Sequence, residues 1–262
     1  MELEKLIVSK PKIKPVPIGS EGAIIGLAIV LLWLGCLVFG LQLSLGGGSM
    51  AGILLATVLV LVQTHLYTGL FITAHDAMHK LVSDKPALNN FVGRVVLLLF
   101  AFNSFDRLNR AHQEHHRQPG TEHDPDFHQA SDGSSAGFWA WYRNFLLHYV
   151  SWVQILGMAI TFNVLKLVVP VENLLLFWIA PSILSTFQLF YFGTYRPHRG
   201  AHLASDPHRA RSQSPNHALA FITCYFFGYH AEHHAMPYLP WYRLAAARSA
   251  SHANESQQLA SA

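Results

Sequence analysis

Charge is scarce in this chain: Asp, Glu, Lys and Arg together make only 13% of its 262 residues, against 51% hydrophobic ones. A soluble domain commonly carries about 25% charged residues, so this balance argues against an ordinary water-facing fold and fits a polytopic membrane protein. Cysteine is nearly absent. Cys36 and Cys224 lie far apart in apolar stretches, which excludes an iron–sulfur ligand set and a disulfide framework and leaves two small core residues. There is no dinucleotide fingerprint and no phosphate loop, because Gly46 to Gly48 is only a turn between apolar runs. Reducing equivalents must therefore come from a separate protein. The net charge of +3 is spread over loops without an aromatic-basic stripe and gives no case for nucleic acid. Met1 to Pro17 has four Lys and three Pro but no apolar core, so it reads as a basic tail able to touch anionic headgroups, not a cleaved signal.

Long apolar runs are what the chain has in quantity. Ile24 to Leu45 and Met50 to Ala74 are each long enough to cross a bilayer and are joined by Gly46-Gly47-Gly48-Ser49. Tyr149 to Val169 and Leu174 to Tyr195 make a second hairpin around Pro170, Glu172 and Asn173. Phe91 to Phe105 and Ala218 to Tyr229 are too short to cross and are expected to be re-entrant or interfacial helices. The expected fold is thus an all-α integral membrane protein with four transmembrane helices in two hairpins, plus short interfacial helices. It comprises a basic tail over 1–20, one domain over 21–245 and a disordered Ser-, Ala- and Gln-rich tail over 246–262. Of the 18 Lys and Arg, all but Lys166 fall on the side that holds both termini, and the positive-inside rule puts that side in the cytoplasm.

Histidine carries the chemistry. Among 17 His, three clusters stand at the ends of apolar runs: His75-Asp-Ala-Met-His79, His112-Gln-Glu-His115-His116 and His230-Ala-Glu-His233-His234. Random placement would give only about 0.07 matches to H-x-x-H-H in such a chain, and there are two. Residues i, i+3 and i+4 share a helix face, so each cluster presents several imidazoles toward one point. Adjacent His115 and His116, and His233 and His234, diverge by about 100° around a helix, which suits two ions side by side. Neither five-residue cluster fits H-E-x-x-H or H-x-x-E-H, so the water-activating Glu of zinc proteases is missing. Lone His65, His148, His208 and His252 read as core or loop residues. All three clusters land on the cytoplasmic side, although the charge distribution did not require it. Two ions with eight imidazoles leave room for a ninth, and His198, just past the fourth span, is the first candidate, with His202 and His217 as competitors. Asp76, Asp124, Asp126, Glu114 and Glu232 are candidates to orient imidazoles through their distal N–H, with Glu114 and Glu232 as readily helix-surface charges.

The pattern H-x-x-x-H, H-x-x-H-H, H-x-x-H-H on a four-span chain resembles the membrane fatty-acid desaturase and hydroxylase superfamily. Within it the chain is most similar to the bacterial β-carotene ketolases. The stretches that carry this are Phe71 to His79, Ser104 to Leu108, His115 to His128 with its Pro119-Gly120 and Asp124-Pro-Asp-Phe-His128, Phe192 to Arg199, and Leu219 to Leu244. Lys80 stands where ketolases often have Gly, and Arg196 where an apolar residue is usual; neither change removes a ligand.

The resemblance implies two non-haem irons held by His75, His79, His112, His115, His116, His230, His233 and His234 with His198 as the ninth, and it raises Asp124 and Asp126 among the orienting carboxylates. It implies O2 as co-substrate, an external donor such as a ferredoxin, a carotenoid drawn from the bilayer, and location in the bacterial cytoplasmic membrane. The implied reaction is two successive hydroxylations at C4 of a β-ionone ring followed by loss of water to the ketone. A carotenoid hydroxylase or fatty-acyl desaturase on the same scaffold is the alternative, although desaturases usually show a wider first box. A metal transporter is His-rich too, but would hold its ligands mid-membrane on broken spans, where only His65 lies here.

Overall fold

The computed structural model describes residues 18–45, 49–130, 135–203 and 205–261. The basic tail through Pro17 and the glycines Gly46 to Gly48 of the first hairpin turn lie outside these. Among the described residues the chain is helical, with only two isolated β-bridges, Gln129 to Ser135 and Ser212 to Tyr229. In chain order the helices are α1 (Glu21–Gln42), α2 (Met50–Met78), α3 (Pro86–Leu99), α4 (Phe105–Arg117), α5 (Phe138–Tyr149), α6 (Trp152–Leu165), the helical run α7 (Val171–His198), α8 (His217–Cys224), α9 (His230–Ala235) and α10 (Leu244–Ser261).

The helices α1, α2 and α7 are long and apolar enough to cross a membrane. A fourth span exists only if α5 and α6 are counted together as one broken crossing. The expected continuous span from Tyr149 to Val169 therefore has to be corrected. Ser151 opens a new helix with a capping box, its hydroxyl accepting from the N–H of Gln154 at 3.3 Å while the Gln154 side chain accepts from the Ser151 N–H at 2.8 Å. The resulting α6 has 14 residues, about 21 Å at 1.5 Å per residue, short of a hydrocarbon core of about 30 Å. The short run expected from Phe91 is the helix α3, and the one from Ala218 is the eight-residue α8.

Where one domain was expected over 21–245, the chain divides into two compact units interleaved in sequence: Gly19–Leu108 with Tyr149–Leu189, and Asn109–His148 with Phe190–Ala262. The first is the apolar unit. Its large side chains point outward, with Leu27 at 58%, Leu54 at 64% and Ile160 at 63% exposure, a surface that lipid covers and water would not tolerate. Inside it, glycines let helices touch: a Cβ on Gly40 would meet the Phe177 ring at 2.6 Å. The Asn173 amide caps the end of α1, donating to the carbonyls of Gly40 at 2.9 Å and Leu43 at 2.8 Å.

The second unit carries a core of Ala220, Tyr229, Met236, Leu239, Leu244 and Ala247. The segment expected to be a disordered tail from 246 is instead helical through Ser261. Leu244, Ala247 and Ser251 form a buried stripe at helical spacing, which anchors an Ala-rich stretch of high helix propensity.

Candidate metal centre

The second unit brings seven of the nine predicted histidines together. Helix α4 supplies His112, His115 and His116, and α9 supplies His230, His233 and His234. Two left-handed residues, Tyr225 at φ 47° and Phe226 at φ 62°, end α8 and turn the chain toward α9. Glu232 fixes the rotation of α9: its carboxylate pairs with Arg248 at 3.1 Å and accepts the hydroxyl of Ser212. That side of α9 is thereby held on the arginine, while the 230, 233, 234 stripe faces α4.

His198 arrives by another route. The run α7 contains two π-helical stretches, Leu175–Ile179 and Phe190–Tyr195, and ends at His198, which is buried at 2% exposure. Wide turns of this kind recur where a helix must aim a side chain at a site. At Gly193 a Cβ would stand 2.1 Å from the Phe227 ring, so only glycine lets α7 pass so close to the residues leading into α9.

His115, His198, His230 and His234 form one buried group whose ligand atoms all lie within 4.8 Å of one another. The Nε2 of His234 is 3.0 Å from that of His115 and 3.0 Å from that of His230. An ion about 2.1 Å from each nitrogen would set neighbouring nitrogens about 3.0–3.4 Å apart, so the spacing fits imidazole ligands of one ion. The tautomers agree. A carboxylate only accepts, so the Nδ1 of His115, 2.9 and 3.0 Å from the Asp124 oxygens, carries its proton, and Nε2 is left to coordinate. A carbonyl only accepts too, so the Nδ1–H of His198 donates to Arg209 O at 2.8 Å, leaving its buried Nε2 with no protein partner. Lone pairs converging in a dry site repel unless a cation sits among them.

A second group lies beside it. The Nε2 atoms of His116 and His233 are 3.0 Å apart, and the ring of His112 lies 4.6 Å from that of His116. The rings of His116 and His234 stack at 4.3 Å, which links the two groups. In the apolar unit, His75 and His79 face each other with ring centroids 5.0 Å apart at the end of α2.

Burial and the surrounding imidazoles hold His234 well below the ordinary histidine pKa. Burial also disfavours charge on His115, but the hydrogen bond to Asp124 and the charges of Asp126 and Asp124 outweigh it and hold its pKa above the usual value. The loop after α4 exists to place Asp124. Gly120, at φ 66°, and Asp126 both donate backbone N–H groups to its carboxylate, at 2.7 and 2.8 Å. Arg209 secures the same loop by donating to the carbonyl of Gly120 at 2.8 Å. Asp126 stands farther off, 3.8 Å from the His115 Nδ1, and Asp76 is buried with an oxygen 3.9 Å from the His75 Nδ1.

Neither competitor for the ninth position belongs to the histidine groups found among the described residues. Both ring nitrogens of His217 are hydrogen-bonded at 2.8 Å, one to the Tyr229 hydroxyl and one to Ser249. His202 lies 3.7 Å from Asp206. Glu114 pairs with Arg117 at 2.9 Å near the surface, as a helix-surface charge does, whereas Glu232 is buried and structural. Ser212, Arg248 and Arg209 carried no sequence signal. Nor did His208, whose ring lies 6.0 Å from that of His234.

The fatty acid desaturase family matches residues 49–168 and 146–259, and the chain belongs to it. Family and apolar helices together make it an integral membrane protein. Among named relatives, a beta-carotene ketolase of Paracoccus sp. (strain PC1) is 37% identical over 241 residues, 90% of this chain and 96% of the relative. A zeaxanthin 4-ketolase of Chlamydomonas reinhardtii is 36% identical over 240 residues, 87% of this chain and 53% of the relative. A beta-carotene ketolase of Haematococcus lacustris is 38% identical over 214 residues, 78% of this chain and 65% of the relative. The chain thus spans 53% and 65% of the two algal proteins and nearly the whole bacterial one.

Proposed function

We propose that the chain is an O2-dependent di-iron oxygenase that converts the C4 methylene of carotenoid β-ionone rings to a ketone. The observation that carries this is the buried imidazole group of His115, His198, His230 and His234 in a chain 37% identical to a beta-carotene ketolase along its length. In this reading those four serve one iron and His112, His116 and His233 serve the second; His75 and His79 are counted as ligands on the strength of their H-x-x-x-H motif. When bound, the irons supply the O2 activation that no side chain here can perform, and an all-nitrogen shell leaves them open positions for it. The protein's part is to hold the imidazoles in place, with Asp124 orienting His115 and the charges of Asp126 beside His115 and Asp76 beside His75 supporting them, and to keep water out.

Each of two hydroxylations at C4 consumes one O2, two electrons and two protons and releases one water, and the resulting geminal diol loses a further water to the ketone. The electrons come from a separate protein, a ferredoxin, and the carotenoid enters from the bilayer. The chain sits in the bacterial cytoplasmic membrane with four crossings, one of them the broken pair α5 and α6, and with both termini and the irons on the cytoplasmic side. Expression in a β-carotene-producing bacterium tests the reading. The pigment should shift to longer wavelength and gain, per ring, one oxygen less two hydrogens. Hydroxylated or unchanged β-carotene would give the scaffold to a hydroxylase or to a fatty-acyl desaturase.

A further inference from the structure

A cavity of about 300 Å³ opens in the second unit, walled by Tyr191, Phe192, Arg196, Arg199, Arg211 and Gln213, among others. Its charge is one-sided. Among the described residues none of the three arginines forms an ion pair with a carboxylate. Arg196 donates to the side-chain oxygen of Gln213 at 3.2 Å, Arg199 lies over the Tyr195 ring at 5.4 Å, and Arg211 bonds the carbonyls of Arg199 and Ala201. The carboxylate that Ser212 of the same wall contacts, Glu232, is already matched by Arg248 at 3.1 Å. Guanidinium groups gathered around a cleft, held by neutral oxygens and an aromatic face, are arranged for a phosphate or carboxylate.

The other wall is apolar and continues from a membrane span. Tyr191 and Phe192 stand on the last turns of the run Val171–His198, and Tyr191 is 40% exposed. Aromatic rings beside arginines at the end of a span mark the headgroup depth of a bilayer. A cleft of this size admits a phosphodiester with its glycerol linkage but not a folded protein surface, and its unpaired positive charge favours a net anionic ligand over a zwitterionic one. We infer that this cavity binds the phosphate of an anionic phospholipid headgroup. The inference does not depend on which carbon the metal centre oxidises.

The test uses the full chain reconstituted in nanodiscs of phosphatidylcholine, with and without phosphatidylglycerol, and counts by native mass spectrometry the lipid retained on release into detergent. Wild type should keep phosphatidylglycerol in preference to phosphatidylcholine, and Arg196→Gln/Arg199→Gln should keep about tenfold less. Arg196→Lys/Arg199→Lys, which preserves the charge, should keep most of it and guards against a folding defect in the first variant. Equal retention by the Gln variant and wild type, or equal retention of the two lipids by wild type, would overturn the inference. So would complete displacement by inorganic phosphate, which would make the site one for free phosphate.

Discussion

Replacing Asp124 by Asn changes one atom and tests the whole logic of the centre. One carboxylate oxygen accepts from His115 Nδ1 at 2.9 Å and from the Asp126 N–H at 2.8 Å; the other accepts from the Gly120 N–H at 2.7 Å and lies 3.0 Å from the same imidazole nitrogen. Whichever oxygen becomes the amide NH2 group, a backbone N–H then faces another donor, and His115 loses a negatively charged acceptor. Loss of an outer partner of this kind typically costs about 10–100-fold in metal affinity, or about 1.4–2.8 kcal/mol. We expect Asp124→Asn to release iron to a chelator at least tenfold faster and to form correspondingly less ketone in the β-carotene-producing host. Asp126→Asn, whose oxygen is 3.8 Å from the imidazole and beyond hydrogen-bond reach, should change release by less than about threefold. A folded Asp124→Asn protein that holds iron as tightly as wild type would refute the orienting role.

Other outcomes follow from the same contacts. His198→Ala should eliminate ketone formation and lower iron content, whereas His217→Ala, which loses two bonds of 2.8 Å to Tyr229 and Ser249, should keep its iron and lose about 1–2 kcal/mol in thermal unfolding. His202→Ala should keep at least part of both activity and iron. Glu232→Gln leaves Arg248 uncompensated at a site where the carboxylate is 5% exposed, so it should destabilise by about 3–5 kcal/mol and lower iron loading through the misplaced α9. Gly193→Ala sets a methyl 2.1 Å from the Phe227 ring, which lies 5.2 Å from the ring of His230; a loss of about 1–3 kcal/mol with reduced iron is expected from calorimetry and metal analysis. Purified wild type should carry close to two irons per chain, and one tightly held zinc with no iron would sink the di-iron reading.

Helix content and the first two spans could be read from the sequence because lipid-facing helices announce themselves by length and uniform apolarity. The third apolar run was legible as apolar but not as broken. Its break rests on a capping box at Ser151 and Gln154, two polar residues in a window whose average stays hydrophobic. The tail misled for the opposite reason: composition alone spoke for disorder, while three positions, Leu244, Ala247 and Ser251, attach it to a core.

The histidine stripes on α4 and α9 were legible because i, i+3, i+4 spacing on a helix is a geometric statement in itself. His198 was harder, since its address depends on π-helical turns at the end of α7 that no hydropathy pattern records. What sequence could not rank were the groups that act through a neighbour. Asp124 and Asp126 share a motif, and only the loop held by Gly120 and Arg209 decides that the first accepts the hydrogen bond of the imidazole N–H and the second stands off. Glu114 and Glu232 occupy like positions before paired histidines, yet one faces Arg117 at the surface and the other is buried on Arg248, more than a dozen residues away. Lys80 belongs to the same class. Its backbone sits at φ 63°, a conformation that a side chain makes costly. Lys80→Gly should therefore stabilise the turn after His79 by about 1 kcal/mol in thermal unfolding without altering the product, and no stabilisation would mean that the lysine side chain offsets the strain through contacts of its own.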